Sequence, residues 1–155
     1  MQNLKTIFLI LVISLSFRCS NNSDLLFDPS YWSSPYKGIT ITDKLGNKLK
    51  VDESDWCNYQ VGFYAFLPAY PNPVDRDNEN IRFVFYTSPD CRIKLLINDG
   101  DYKTVIILTD RVYSRGLYEI EWDLKDKSGL KVPGGIYRCY MYAPDFICHG
   151  DIWIK

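Results

Sequence analysis

From Gly38 to the C-terminus the chain is written in short stretches of alternating apolar and polar residues, each closed by turn chemistry. That pattern restricts it to an all-β fold. A strand turns successive side chains to opposite faces, so a half-buried strand alternates with period two. Gly38-Ile39-Thr40-Ile41-Thr42-Asp43 and Lys48-Leu49-Lys50-Val51-Asp52 alternate around Leu45-Gly46-Asn47, the signal of a β-hairpin. Further runs follow at 62–67, 81–85, 92–97, 104–108, 117–122, 136–142 and 147–154, with Pro68, Asn98-Asp99-Gly100 and Pro144-Asp145 among the breaks. No window beyond the N-terminus sustains a helical repeat. About seven short strands after the hairpin fit a sandwich or a barrel.

The N-terminus is of another kind. Lys5 leads into Ile7 to Phe17 (IFLILVISLSF), 11 residues that are apolar except for two serines. A helix needs roughly 20 such residues to span a bilayer, so the run reads as the core of a secretory signal. Cys19 follows directly, with polar Ser20-Asn21-Asn22-Ser23 behind it. That placement fits a lipoprotein processing site, where acyl chains on Cys19 would hold the protein on a membrane. Ordinary cleavage, with Cys19 removed or left as a free thiol, is the alternative. The expected organisation is a signal peptide over 1–18, a lipidated tether over 19–36, a β-hairpin and link over 37–60, and a sandwich over 61–155. The expected location is the outer membrane of a bacterial envelope, where the exported, membrane-anchored protein would be periplasmic or surface-facing.

Charge narrows the partners. Lys and Arg number 18 against 19 Asp and Glu, interspersed without a basic run. A phosphate backbone is held by clustered cations, so nucleic acid is not an expected partner. An envelope protein is the expected one, with a glycan as the alternative. Trp32 and Trp56, with Tyr31, Tyr36 and Tyr59, could supply a stacking platform. The competing reading is that they seal one end of the sandwich.

Four cysteines lie beyond Cys19: Cys57, Cys91, Cys139 and Cys148. An even number in an exported chain points to disulfides. No C-x-x-C pair suggests a metal, and no cofactor is expected. Cys139 and Cys148 are equidistant from Ala143-Pro144, so a symmetric hairpin would set them opposite each other and leave Cys57 for Cys91. A bridge between non-adjacent strands is the rival.

The sequence offers no catalytic constellation. His149, the one histidine, falls on the outward parity of the last strand and reads as a surface residue. A serine nucleophile needs a base and a strained turn, and phosphate loops are absent. Asp75 to Asn80 places acidic groups at alternate positions, but lacks the turning glycine and distal glutamate of a calcium loop. Asp123 with Asp126 reads first as a polar turn.

Ala69-Tyr70-Pro71-Asn72-Pro73, Ile81-Arg82-Phe83, Ile120-Glu121-Trp122-Asp123, Asp126, Gly129, Val132 and Gly135-Ile136-Tyr137 form an ordered series. It resembles the immunoglobulin-like domain of the flagellar hook-capping protein and the C-terminal sorting domains of type IX secretion cargo. The resemblance implies an immunoglobulin-like antiparallel β-sandwich of about seven strands, with Tyr137 pointing inward. It carries no catalytic residue. The expected function is a non-enzymatic envelope lipoprotein acting as a structural or protein–protein adaptor, or a sorting-type domain without cargo.

Overall fold

The computed structural model describes residues 38–155 except 62 and 89. The expected signal peptide and tether, with Cys19 and Trp32, therefore lie outside the described residues. The described part is all-β, and within it no helix is long and apolar enough to cross a membrane.

Ten strands are described: β1 Ile41–Thr42, β2 Lys48–Lys50, β3 Cys57–Val61, β4 Tyr64–Phe66, β5 Ile81–Thr87, β6 Cys91–Asn98, β7 Thr104–Tyr113, β8 Gly116–Trp122, β9 Gly135–Ala143 and β10 Phe146–Ile154. β1 and β2 form the expected hairpin. The others form two four-stranded antiparallel sheets, ordered β10-β9-β6-β7 and β3-β4-β5-β8. Sequence alternation misses β3, because Cys57 to Val61 continues a polar link with no period-two run. It also ends β7 too early, since the strand runs on to Tyr113 through the exposed Asp110, Arg111 and Val112.

The two sheets pack face to face on alternating side chains. Ile81, Phe83 and Phe85 from β5 meet Ile93, Leu95 and Ile97 from β6, all without exposed surface. Cys139 and Met141 from β9 and Ile152 from β10 complete that face. Burying each large side chain contributes about 1.5–3 kcal/mol. Trp122 closes the end of β8, its indole N–H donating to the Lys125 carbonyl at 2.7 Å. Tyr137 does point inward, its hydroxyl donating to the Pro133 carbonyl four residues back at 2.9 Å.

The polar turns consume their own carboxylates. Asp126 Oδ1 accepts the Ser128 and Leu130 N–H groups, and Asp123 pairs with Lys125 at 2.6 Å. In the 75–80 loop Asp75 accepts from Asp77 and Asn78, while Glu79 pairs with Lys44. Among the described residues no group of three or more His, Cys, Asp or Glu side chains is placed to hold a metal ion.

Candidate functional site

β10 is an edge strand, and its free edge is covered by an unusual device. An edge leaves alternate N–H and C=O groups without a ladder partner. On β10 these belong to His149, Asp151 and Trp153, and beyond the strand to Lys155. The His149 carbonyl accepts the Trp56 N–H at 2.8 Å. Asp55 Oδ1 accepts the Asp151 N–H at 2.7 Å. Asn72 then takes two consecutive groups, its Nδ2 donating to the Asp151 carbonyl at 3.0 Å and its Oδ1 accepting the Trp153 N–H at 2.9 Å. Val74 finishes the row, donating to the Trp153 carbonyl and accepting from the Lys155 N–H. Two side chains and two short backbone stretches thus do the work of a fifth strand.

Asn72 is the hub of this latch. Fully buried, it also donates to the Thr40 carbonyl at 2.8 Å, and its main chain exchanges hydrogen bonds with Thr42. Pro71 and Pro73 on either side have no N–H to offer, and both follow cis peptide bonds. The polar demand of the segment therefore falls on Asn72. Sequence reasoning quoted this asparagine within Tyr-Pro-Asn-Pro but gave it no task. The signal was present, since an asparagine between two prolines stands out as a hydrogen-bonding residue among residues that cannot donate.

Asp55 is the second residue missed. It is buried and accepts the Thr40 N–H as well, at 3.4 Å. Burial, and next the nearby Asp151 carboxylate, push its carboxyl up to about 8. Asp151 is held in turn by Arg138, whose guanidinium bonds both its oxygens at 2.5 and 2.7 Å.

Trp56 is in the core, 5% exposed, edge-on to Phe66 with ring centroids 5.1 Å apart. It offers no face to a ligand. Its backbone takes a φ of 64°, the left-handed region, which turns the chain into β3. The indole N–H has no acceptor among the described residues.

The cysteine pairing corrects the expectation. Cys57 on β3 bonds Cys148 on β10, with Cα atoms 6.1 Å apart, joining edge strands of opposite sheets. Cys91 and Cys139 are free and buried. The expected Cys139–Cys148 bridge fails because the β9–β10 hairpin pairs Ala143 with Phe146, centring its turn on Pro144-Asp145. Cys139 then faces Gly150, and Cys148 faces Met141. Cys91 instead contacts Thr87 at 3.1 Å, and burial pushes the Cys139 thiol well above its ordinary value.

The outer face of the β10-β9-β6-β7 sheet carries an aromatic belt. The register aligns His149, Tyr140, Leu96 and Ile107 in one row and Ile147, Tyr142, Lys94 and Asp110 in the next. Tyr140 stacks on Tyr142 at 5.9 Å and lies 5.8 Å from His149. His149 faces outward as expected, but half-buried against this belt. Burial first, then the charge of Arg138, hold its imidazole below the ordinary value. An open cleft of about 740 Å³ lies at one end of the sandwich, where Asp99, Asp101, Lys103, Lys127 and Lys131 mix both signs of charge.

No family model matches the chain, and neither does any curated protein. Among solved structures it is similar to dimeric latent PorU from Porphyromonas gingivalis, at 21% identity and a TM-score of 0.46, over 61% of this chain and 10% of that one. It is also similar to PorZ, described as an essential surface component of the type-IX secretion system of the same organism. That likeness has 20% identity and a TM-score of 0.42, over 56% of this chain and 11% of the other. The chain thus spans about a tenth of each protein, and a likeness at this level bears on neither activity nor partner.

Proposed function

We propose that the chain is a non-enzymatic structural or protein–protein adaptor module of the bacterial cell envelope, exported and held on a membrane through a lipidated Cys19. One observation carries the adaptor reading. Of the six buried polar residues described, five, Thr40, Thr42, Asp55, Asn72 and Asp151, are engaged in fastening the N-terminal hairpin and its link to the sandwich. Reaction centres concentrate buried titratable groups in a cleft; here such groups belong to the scaffold. The Cys57–Cys148 disulfide supports export, because such bonds persist in oxidising compartments. The immunoglobulin-like assignment rests on the sequence series together with the two packed antiparallel sheets.

In-cell crosslinking at native level, with mass spectrometry of the products, tests this reading. One envelope protein recovered in near-stoichiometric amount is the expected result. Recovery of the chain alone, in the membrane fraction, would remove the adaptor function.

A second reading, glycan binding, is favoured by the aromatic belt rather than by Trp56. Tyr142 is its exposed aromatic member, flanked by exposed Ile107 and Ile147. Quenching of tyrosine fluorescence by soluble envelope glycans, abolished in Tyr142→Ala, would support it, and silence across those glycans would remove it.

A further inference from the structure

The edges of the two large sheets are not alike. β10 is sealed by the latch. β7 carries two register shifts against β6, and its Val105 carbonyl accepts the Lys127 N–H. Bulges of this kind bend an edge away from pairing. β3 carries a register shift and is tied to β10 by the disulfide. Of the three edges without a latch, β8 alone pairs without interruption, through seven registers from Ile81↔Trp122 to Thr87↔Gly116.

The open groups on β8 can be identified. Arg82 and Val84 direct their backbone towards Tyr70 and Leu67, so the alternate residues of β5 bond β8. Leu117, Glu119 and Glu121 on β8 therefore point N–H and C=O outward, and these groups have no hydrogen-bond partner among the described residues. Their side chains stand on the outer face, Leu117 being 66% exposed.

Charge decides what fits there. Glu119 and Glu121 share one cation, Arg82, at 3.5 and 3.1 Å. Asn80 donates to Glu121 and the Tyr70 hydroxyl donates to Glu119, both neutral groups. The strip keeps one uncompensated negative charge. Antiparallel self-pairing about Glu119 would set that carboxylate against its own copy and Leu117 against Glu121, which like-charge repulsion disfavours. In that register a second copy of this chain is the wrong occupant, and a concentration-dependent dimer of the isolated chain paired through β8 would overturn the proposal.

We propose that β8 is the docking edge for an extended segment of a partner protein, which carries an apolar residue beside Leu117 and lysine or arginine beside Glu119 and Glu121, and which adds a fifth strand to β3-β4-β5-β8. Main-chain hydrogen bonds supply the affinity and alternate side chains the selectivity. The proposal rests on the adaptor reading and names the surface and the partner's chemistry.

The test is titration of the isotope-labelled full chain with a short synthetic peptide alternating threonine with valine and lysine, followed by NMR. Shifts and slowed exchange confined to Leu117, Glu119 and Glu121 are expected. Glu119→Pro removes an outward N–H together with the exposed carboxylate that Arg82 and Tyr70 contact, and proline is tolerated on an edge, so the variant should stay folded and bind at least about tenfold more weakly. A peptide methylated at alternate backbone nitrogens should fail against the unaltered chain, which keeps the test decisive if the proline variant unfolds. Shifts at β7 or β10, no shift at millimolar peptide, or equal binding of the methylated peptide would overturn the proposal. A native partner crosslinked in cells to another face would overturn it too, while leaving the adaptor reading intact. Absence of any partner in cells removes the adaptor reading itself.

Discussion

Gly150 lies directly beneath the indole of Trp56: a methyl group at its Cα would fall 2.1 Å from Cδ2 and Cε2 of that ring. Gly150 sits on the inward parity of β10, opposite Cys139. The missing side chain is thus what lets the link before β3 lay a tryptophan into the sandwich. The glycine is required by the close approach of the ring, since a rigid aromatic in a packed core cannot give way by that distance.

Gly150→Ala should therefore destabilise the protein by about 3 kcal/mol or more, as overpacking against an unyielding neighbour does. Trp56→Ala leaves a large void and should cost about 3–5 kcal/mol. The two effects should fall well short of additive in a double-mutant cycle measured by urea denaturation, because Trp56→Ala removes what Gly150→Ala collides with. Trp56→Phe should cost much less than Trp56→Ala, since it keeps a ring and removes a buried N–H without an acceptor.

Removing the disulfide loosens the same region covalently. Cys57→Ser should lower stability by about 2–4 kcal/mol, a usual cost for breaking a bridge that closes a long loop. Peptide mapping without reduction should recover a fragment joining Cys57 to Cys148, with Cys91 and Cys139 available to alkylation only after unfolding. A Cys139–Cys148 fragment would contradict the register of the last hairpin.

Asn72→Ala would strand the Thr40 and Asp151 carbonyls in a buried site and take the Asn72 acceptor from the part-buried Trp153 N–H. Each unsatisfied group costs about 1–3 kcal/mol, so the variant should lose about 3 kcal/mol or more by chemical denaturation. Asn72→Asp should be no better, because a carboxylate would confront two carbonyls it cannot donate to.

Asp55 gives the fold a pH dependence. Its carboxyl sits at about 8 in the folded protein against an ordinary 3.8. Between those values the folded state holds a proton that the unfolded chain has released, so the contribution is complete below about pH 4 and is lost as pH rises towards 8. Stability should fall by up to about 1.4 kcal/mol per pH unit across that window. Asp55→Asn keeps an oxygen for the Asp151 N–H and cannot ionise, so thermal melts of this variant between pH 5 and 8 should be flatter than those of the parent.

The alternation of β5, β6, β9 and β10 was legible because each has one face in the core and one in water, the condition that writes period two into a sequence. The disulfide partners were not. Their pairing depends on whether the last turn is centred on Ala143-Pro144 or on Pro144-Asp145, a difference that shifts which residues face each other while leaving inward parity unchanged. The task of Asp55 and the depth of Trp56 were hidden for another reason. Both residues are closed over by a segment distant in sequence, β10, through Asp151, His149 and Gly150, and a polar DESDWC run resembles a solvated link until that strand covers it. Asn72 stood within a quoted signature, but its hydrogen bonds reach residues about thirty and eighty positions away. No local pattern encodes contacts of that range.

Amide hydrogen exchange read residue by residue is the most direct measurement of the arrangement described here: one sheet edge sealed by side chains, and one left open. The N–H groups of Asp151 and Trp153 should be protected like ladder amides although no strand lies beside them. On β8, Tyr118, Ile120 and Trp122 should exchange slowly while Leu117, Glu119 and Glu121 exchange freely. Asp151 and Trp153 exchanging as fast as an uncovered edge, or a protected Glu119 in the isolated chain, would contradict it.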